Sequence, residues 1–464
     1  MTQAGNEIAL QGGGADATAR IQDAIDTLSA AGGGRAVLSA GVYRCRGLRL
    51  KSGVTLHIDE GAVLRPVPDY AAYQETRVRI MAEDSDRAMI LAEGAHDIGI
   101  SGKGLIAAGG AAFIAGNDDA MGTWIPSAMR PRVIVLDRCT KVRLEDFTVR
   151  ESPMWTIHAI CCSDVVARGI RVFNDLRMPN TDGFVVDACR NVAIEGVELR
   201  TADDGVVLKT TALPDGKPSG DCRHVRVADS VIESRSCALK IGTETHGDFN
   251  DIVFEDCRIE NSNRGLGIFS RDGGKISNVR FSRIAVDCRE TPDGFWGSGE
   301  ALTINVVDRK PHQTAGEITN VLVEDITGTT EGAINMVAPQ KGRINQVRLS
   351  RIALTQQPGR IGTALRYDLR PGPADLVPPP LGSGRANAWV KDASGAVVGL
   401  VPYPDGMPGL YAQNVEDLDL DRVAITRPSP IPEGWNGAEA VVSHATAESM
   451  DRGTPQFARA PRAR

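Results

Sequence analysis

The sequence predicts an all-β protein: a single right-handed parallel β-helix of about ten or eleven coils, with a capping helix at its N-terminal end. Three observations carry this expectation. A short strand frame recurs along the chain, its copies stand at solenoid intervals, and the composition is rich in Gly, Val, Ile, Ala and Asp with only 5% aromatics. Short strands joined by tight turns use residues in that way.

The frame is clearest in "CTKVRLEDFTV" from Cys139, "CSDVVARGIRV" from Cys162, "CRNVAIEGVEL" from Cys189 and "CRHVRVADSVI" from Cys222. An aliphatic residue is followed two later by another (once only Ala167), then by Asp or Gly two after that, then by further aliphatics. The same strand reappears in "DIVFEDCRI", "NVRFSRIAV", "NVLVEDITG", "QVRLSRIAL" and "DLDLDRVAI", and earlier in "GVTLHIDEGAVL" and "DIGISGKGLI". Its first aliphatic falls at Val54, Ile98, Val142, Val165, Val192, Val225, Ile252, Val279, Val321, Val347 and Leu418. Most central intervals are 23 to 33 residues and some are near 42 to 44. A unit of that length cannot bury its own apolar face and must stack on the next. Period-2 apolar spacing between Gly, Asp and Asn turns makes the unit a β-coil.

The remaining elements follow in order. In "DATARIQDAIDTLSAAGGG", Ile21, Ala24, Ile25 and Leu28 lie at helical spacing and glycines end the run, so residues 17–33 read as a helix and turn that cover the open first coil. Between 358 and 410 the frame lapses into a Pro- and Gly-rich stretch with "LVPPPLGSG", read as a long loop excursion, and 428–464 reads as an irregular tail. The whole of 1–464 is expected to be one domain.

A formal net charge of −7 without a long basic run argues against nucleic acid as a partner. No stretch of about 18 apolar residues is present to span a membrane. The opening "MTQAGNEIALQGGG" lacks the basic and apolar segments of a signal peptide. The expectation is a cytoplasmic protein, or a periplasmic or secreted one whose signal has been removed. The nine cysteines form no C-x-x-C pair and read as small core residues rather than metal ligands or disulfides.

Two similar segments hold the chemistry. "NTDGFVV" and "ADDGVVL" place Asp182 and Asp204 22 residues apart at the heads of apolar strands, with Asp203 beside the second. Equivalent residues of successive coils stack in columns about 4.8 Å apart. The coil intervals give one column of Trp155, Asp182, Asp204, Cys237 and Arg264, and a neighbouring one of His158, Val185, Val207, Lys240 and Gly267. Three carboxylates so close repel one another, which raises at least one pKa and suits acid–base chemistry. Asp and Gly are also ordinary turn formers, so spacing alone leaves a purely structural role open.

These motifs resemble glycoside hydrolase family 28, the polygalacturonase-like enzymes. "ATARIQDAIDTLSAAGGGRAVLSAGVY" with "LRLKSGVTLHIDEGAVL" is similar to the family's N-terminal entry and "ESPMWTIHAICCSDVVARGIRV" to its approach to the site. "NTDG" and "ADDGVVLKT" match its two carboxylate motifs in order and spacing. The resemblance implies an inverting hydrolase without metal or organic cofactor. In it Asp203 protonates the glycosidic oxygen, Asp182 and Asp204 hold and deprotonate the water, and the partner is a pectin-like poly- or oligosaccharide.

The match departs from the family on the next two coils. Where the family carries Gly-His-Gly and Arg-Ile-Lys segments, this chain has "SCALKIGTETHGDF" and "NRGLGIFSRDGG", so Cys237, Gly267 and Phe269 stand at the His, Arg and Lys positions. In the family that Arg and Lys grip a galacturonate carboxylate. Substitute substrate contacts are sought at Lys240 and Arg264 by register and at Glu244, His246 and Arg271 on nearby turns. Asn180 of the first motif is a further candidate, as are Trp155 and His158 along the groove. An acidic substrate calls for Lys240 and Arg264 as a relocated clamp. A neutral one would leave them paired with the aspartates or Glu244, with Phe269 offered to a sugar ring. Long insertions around "AAGGAAFIAGNDDAMGTW" and after Pro358 point to a walled groove and action at chain ends. A lyase or epimerase using Lys240 or Arg264, and a non-catalytic glycan-binding solenoid, are the competing readings.

Overall fold

The structure is a computed structural model and describes residues 6–14, 16–80, 85–373 and 391–443. Its strands wind into a three-sided parallel β-helix. The eleven frame residues lie on one side, and pairing runs in register from Val54 through Ile98, Val142, Val165, Val192, Val225, Ile252, Val279, Val321 and Val347 to Leu418. The stack begins one coil earlier than the frame indicates, because Gly34–Leu38 pairs with Val54–Ile58 and receives Glu7–Leu10 on its other edge.

The Asp-or-Gly position of the frame is the first corner of each coil. Asp146, Gly169, Gly196, Asp229, Asp256 and Asp325 all have φ between 52° and 68°. That is the left-handed region, which glycine enters freely and Asp or Asn tolerates better than most residues. A second column of left-handed residues, among them Asp164, Asn191, Asp251, Asn278 and Asn320, precedes the frame aliphatics. From the coil of Ile98 onward the chain therefore turns at the same two places.

Inside the prism a continuous aliphatic core runs from Ala17 to Ile425. Cys139, Cys162 and Cys189 form an internal ladder in which the backbone N–H of Cys139 meets the Cys162 sulfur at 3.3 Å and that of Cys162 meets Cys189 at 3.3 Å. All nine cysteines are free thiols, and all but Cys161 are buried.

The helix Thr18–Ala30 lays Ile21, Ala24, Ile25 and Leu28 on the first coil, and Gly32 and Gly33 end it at positive φ. At the far end, the excursion contributes an antiparallel pair, Arg366–Asp368 with Leu400–Pro402. Tyr367, Tyr403 and Tyr411 join it to the third side in a satellite core. Residues 374–390 and 444–464 lie outside the described ones. Within the described part the tail is not wholly irregular, since Ala440–Ser443 adds a parallel rung to Leu410–Gln413.

The third side is the platform for chemistry: Arg132–Asp137, Ile157–Ile160, Phe184–Asp187, Val206–Thr210, Cys237–Thr245, Arg264–Ser270 and Leu302–Val306 are successive rungs. At its trailing corner the coils approach so closely that a glycine column is required. A Cβ on Gly247 would lie 2.1 Å from the Gly220 oxygen, one on Gly274 1.9 Å from that of Gly247, and one on Gly316 1.8 Å from that of Gly274. Gly274→Ala should therefore force two coils apart at a cost of about 1–3 kcal/mol and lower the melting temperature. Gly437→Ala, where nothing lies within 4 Å, should leave it unchanged. Equal melting temperatures for the two variants would show that the stack yields at this corner.

Candidate active site

The register explains why two similar segments each carry Asp-Gly. Phe184 pairs with Val206, Val206 with Leu239 and Leu239 with Leu266, so the residues two positions earlier form the column Asp182, Asp204, Cys237 and Arg264. The glycine after each aspartate is dictated by stacking. A Cβ at Gly183 would sit 2.7 Å from the Gly205 oxygen, and one at Gly205 2.6 Å from the Ala238 oxygen.

Asp203 is held by its own turn. Its carbonyl accepts from the hydroxyls of Thr201 at 2.6 Å and Ser234 at 2.7 Å. Its carboxylate accepts from the Asp204 N–H at 3.0 Å and from Asn180 Nδ2 at 3.4 Å. The amide orientation of Asn180 is set from below by buried Arg130, which donates to Asn180 Oδ1 at 2.8 Å and to the carbonyls of Pro153 and Pro179. Both oxygens of Asp204 are occupied: Ser236 Oγ donates to Oδ1 at 2.9 Å and Lys240 Nζ to Oδ2 at 2.6 Å.

Asp182 differs from both. It is only 2% exposed and its Oδ1 is buried without a hydrogen-bond partner. Burial first, then repulsion from Asp203 and Asp204, push its carboxyl well above the usual aspartate range, against the opposing pull of Lys209 and Lys240. Adjacent rungs thus hold one carboxyl whose pKa is raised and one carboxylate gripped by an ammonium.

These three face a pocket also lined by Trp155, Asn180, Lys209, Lys240, Thr243, Glu244, Arg264, Trp296, Arg370 and Pro371. Its four cations each have a carboxylate within reach. Lys209 Nζ lies 2.5 Å from Glu244, Lys240 2.6 Å from Asp204, and Arg264 and Arg370 3.1 and 3.0 Å from Asp368. Burial opposes the charges of Lys209 and Glu244, but their mutual attraction prevails, raising the lysine pKa and depressing that of the glutamate. Arg264 also approaches Glu300 at 3.6 Å.

The three departures from the family pattern form one packing unit. A Cβ at Gly267 would meet the Phe269 ring at 2.4 Å and the Cys237 sulfur at 2.8 Å. Phe269 therefore folds back over Gly267. Its ring is fully buried, with Arg264, Lys240 and Arg271 at 4.9, 5.4 and 5.9 Å from its centroid, so it offers no face to a sugar.

Of the sequence-derived candidates, Asn180, Lys240, Arg264, Glu244 and Trp155 line the pocket and His158, His246 and Arg271 do not. His158 lies beneath the site, 2.9 Å from Arg132 and 3.2 Å from Asp187, under the chain segment that supplies Thr76 and Val78 to Arg132. An arginine can only donate, so Nδ1 accepts and Nε2 carries the proton towards Asp187. His246 is tied to Asp272 and Lys310. Arg271 is fully buried and donates to the carbonyls of Pro371 at 3.0 Å, Leu369 at 3.3 Å and Arg370 at 3.5 Å, clamping the segment that walls the pocket.

Sequence reasoning missed Lys209, Trp296, Arg370, Pro371 and Thr243, the last on the Cys237–Thr245 strand where its register with the preceding rung shifts. Lys209 was within its reach: it lies on the same strand as Val207, two positions on and on the same face, 5.0 Å from the Trp155 ring. Trp296, Arg370 and Pro371 come from loops that no register governs. Among the described residues, no group of three or more His, Cys, Asp or Glu is placed to hold a metal ion.

The state of Asp182 has a consequence for stability. Its folded pKa lies above the unfolded value near 3.8, so as pH rises past that value the unfolded chain releases this proton first and stability falls. Asp182→Asn, neutral throughout, should therefore melt at a higher temperature than the parent protein at pH 7, with the gap closing towards pH 4. A calorimetric series showing the variant less stable at pH 7 would mean that Asp182 is held as an ion.

The sequence profile of glycosyl hydrolases family 28 matches residues 71–363. A probable polygalacturonase of Vitis vinifera is 26% identical over 311 residues, 61% of this chain and 59% of that protein. An endo-polygalacturonase of Pectobacterium carotovorum subsp. carotovorum is 24% identical over 358 residues, 73% of this chain and 84% of its own. Among solved structures, the fold is shared with a hyperthermoactive exopolygalacturonase from Thermotoga maritima, with a TM-score of 0.61 and 18% identity over 76% of this chain and 87% of that one. A Yersinia enterocolitica family 28 exopolygalacturonase gives a TM-score of 0.60 and 16% identity over 94% of this chain and 77% of that one. With its carboxylate motifs stacked on one side of a parallel β-helix and the profile covering more than half its length, the chain belongs to glycosyl hydrolases family 28.

Proposed function

We propose that this hydrolase cleaves glycosidic bonds in a pectin-like, uronate-containing poly- or oligosaccharide by inversion, working from chain ends. The observation that carries the proposal is the convergence of Asp182, Asp203 and Asp204 on one pocket, where burial and its neighbours raise the pKa of Asp182 beside a carboxylate fixed by Ser236 and Lys240. Inverting hydrolysis needs a protonated and an ionised carboxyl together. An acid gives a proton to the leaving glycosidic oxygen, while a base takes one from the water that attacks the opposite face of the sugar. Asp203 acts as the donor. Asp204 takes the proton from the water, which Asp182 across the rung helps to hold. The single proton that the trio holds reaches the leaving oxygen through Asp203, and the proton that Asp204 takes from the water restores it.

One feature supports action at chain ends: Trp296, Arg370 and Pro371, from excursions between rungs, wall the pocket. They are braced by Arg271, by the Arg370 bonds to the carbonyls of Asp293 and Phe295, and by the Gly297 N–H to Asp368 at 2.8 Å. The substrate class is supported by the relatives named polygalacturonases. A second reading, a neutral sugar seated in the pocket itself, is favoured by the fact that all four lining cations have carboxylate partners.

An assay of new reducing ends on polygalacturonate and on neutral glycans, run beside absorbance for an unsaturated product, separates these readings and the lyase alternative. Release of short products without early loss of polymer viscosity is expected, whereas rapid viscosity loss would show interior cleavage. Asp203→Asn should lower kcat by about 10²–10⁴ with the fold intact by circular dichroism. Turnover within tenfold of the parent protein would move the donor role to Asp182.

A further inference from the structure

Lys240 stands in the outward column directly above Val207, and its side chain is 9% exposed. Its ammonium lies 2.6 Å from Asp204 Oδ2, opposite the Ser236 hydroxyl on the other oxygen. Among the described residues, the groups facing Asp204 leave no other cation for this task. Asp203 is its chain neighbour, Asp182 lies on the coil before, and both repel it. Cys237, next in the column, directs its thiol to the Leu239 carbonyl at 3.4 Å. Lys209 is committed to Glu244, and Arg264 to Asp368 and Glu300. The Phe269 ring, 5.4 Å from Nζ, closes the far side of the lysine.

We propose that Lys240 is a positioning residue that acts through Asp204, holding that carboxylate oriented as the acceptor of the water proton, rather than a cation that grips the substrate. This rests on the hydrolase reading and assigns the lysine a different part in it. Asp204 gains the proton that water loses as the water oxygen bonds to the anomeric carbon, and the donor carboxyl loses its proton to the leaving oxygen. Acid and base share one small pocket, so one must stay ionised while the other stays neutral. A direct ammonium contact on one of them imposes that difference. A lysine that swung out to a substrate carboxylate would leave Asp204 with Ser236 alone and two aspartates beside it.

The test is the pH dependence of kcat and KM for the parent protein, Lys240→Met and Lys240→Arg on the oligosaccharide that the parent cleaves. For Lys240→Met the proposal expects kcat to fall at least tenfold at mildly acid pH with KM within about threefold. The acidic limb of kcat/KM should move up by about one pH unit or more, because the base regains its proton more readily without the ammonium. Lys240→Arg should return the limb most of the way. A tenfold rise in KM with an unmoved limb would overturn the proposal and make Lys240 a substrate contact. Should Lys240→Met fail to fold, Ser236→Ala, which removes the other donor to Asp204, is read in the same way. A smaller upward shift at unchanged KM supports the proposal and an unmoved limb overturns it. A parent protein that makes no new reducing ends from any glycan would instead remove the hydrolase reading, a result distinct from either outcome for Lys240.

Discussion

Stacking of each coil on the next at about 4.8 Å is the constraint on which the rest of this structure depends. It makes position in the coil equivalent to position in a column, so a residue choice made once in sequence is repeated or answered by its neighbour above and below. On the first side the answer is apolar, from Val54 to Leu418. At the corners it is a left-handed residue, mostly Asp, Asn or Gly. At the heads of two third-side strands it is Asp-Gly over Asp-Gly, where the absent side chains of Gly183 and Gly205 let the backbones close up and leave the aspartates to project.

The same constraint creates an electrostatic problem that the site turns to use. Three carboxylates a rung or less apart cannot all stay ionised when nearly buried. The structure resolves this unevenly. Asp204 receives two donors, Asp203 receives an amide and a backbone N–H, and Asp182 receives nothing at Oδ1. Unequal hydrogen bonding of equal side chains differentiates them, and the difference is set by residues on the neighbouring coils, Ser236 and Lys240 above and Asn180 with Arg130 below.

What was legible in the sequence follows from this geometry. The frame aliphatics, the corner residues and the aspartate column could be read because columns are a matter of counting. Lys209 was equally countable. The first coil was not seen because Gly34–Leu38 begins with a glycine where the frame has an aliphatic. Trp296, Arg370 and Pro371 lie on excursions between rungs, where no interval relates them to the column. His158 was placed correctly by register but its surroundings were not. An outward position faces a groove only where nothing covers it, and here Arg132 and the segment around Thr76–Val78 lie over it.

The departures from the family pattern concern the same question of what covers what. Replacing two long cations by Gly267 and Phe269 does not leave an empty clamp, because the ring folds into the space above the glycine and is enclosed by Arg264, Lys240 and Arg271. Those cations are thereby drawn into the protein's own network: Arg264 to Asp368, Arg271 to the carbonyls of the wall, Lys240 to Asp204. Their positive charge is held in the wall and against Asp204. Trp155, Trp296 and Pro371 then shape the pocket together with the polar groups between them, so the loops that the sequence made hardest to read are the ones that wall the site.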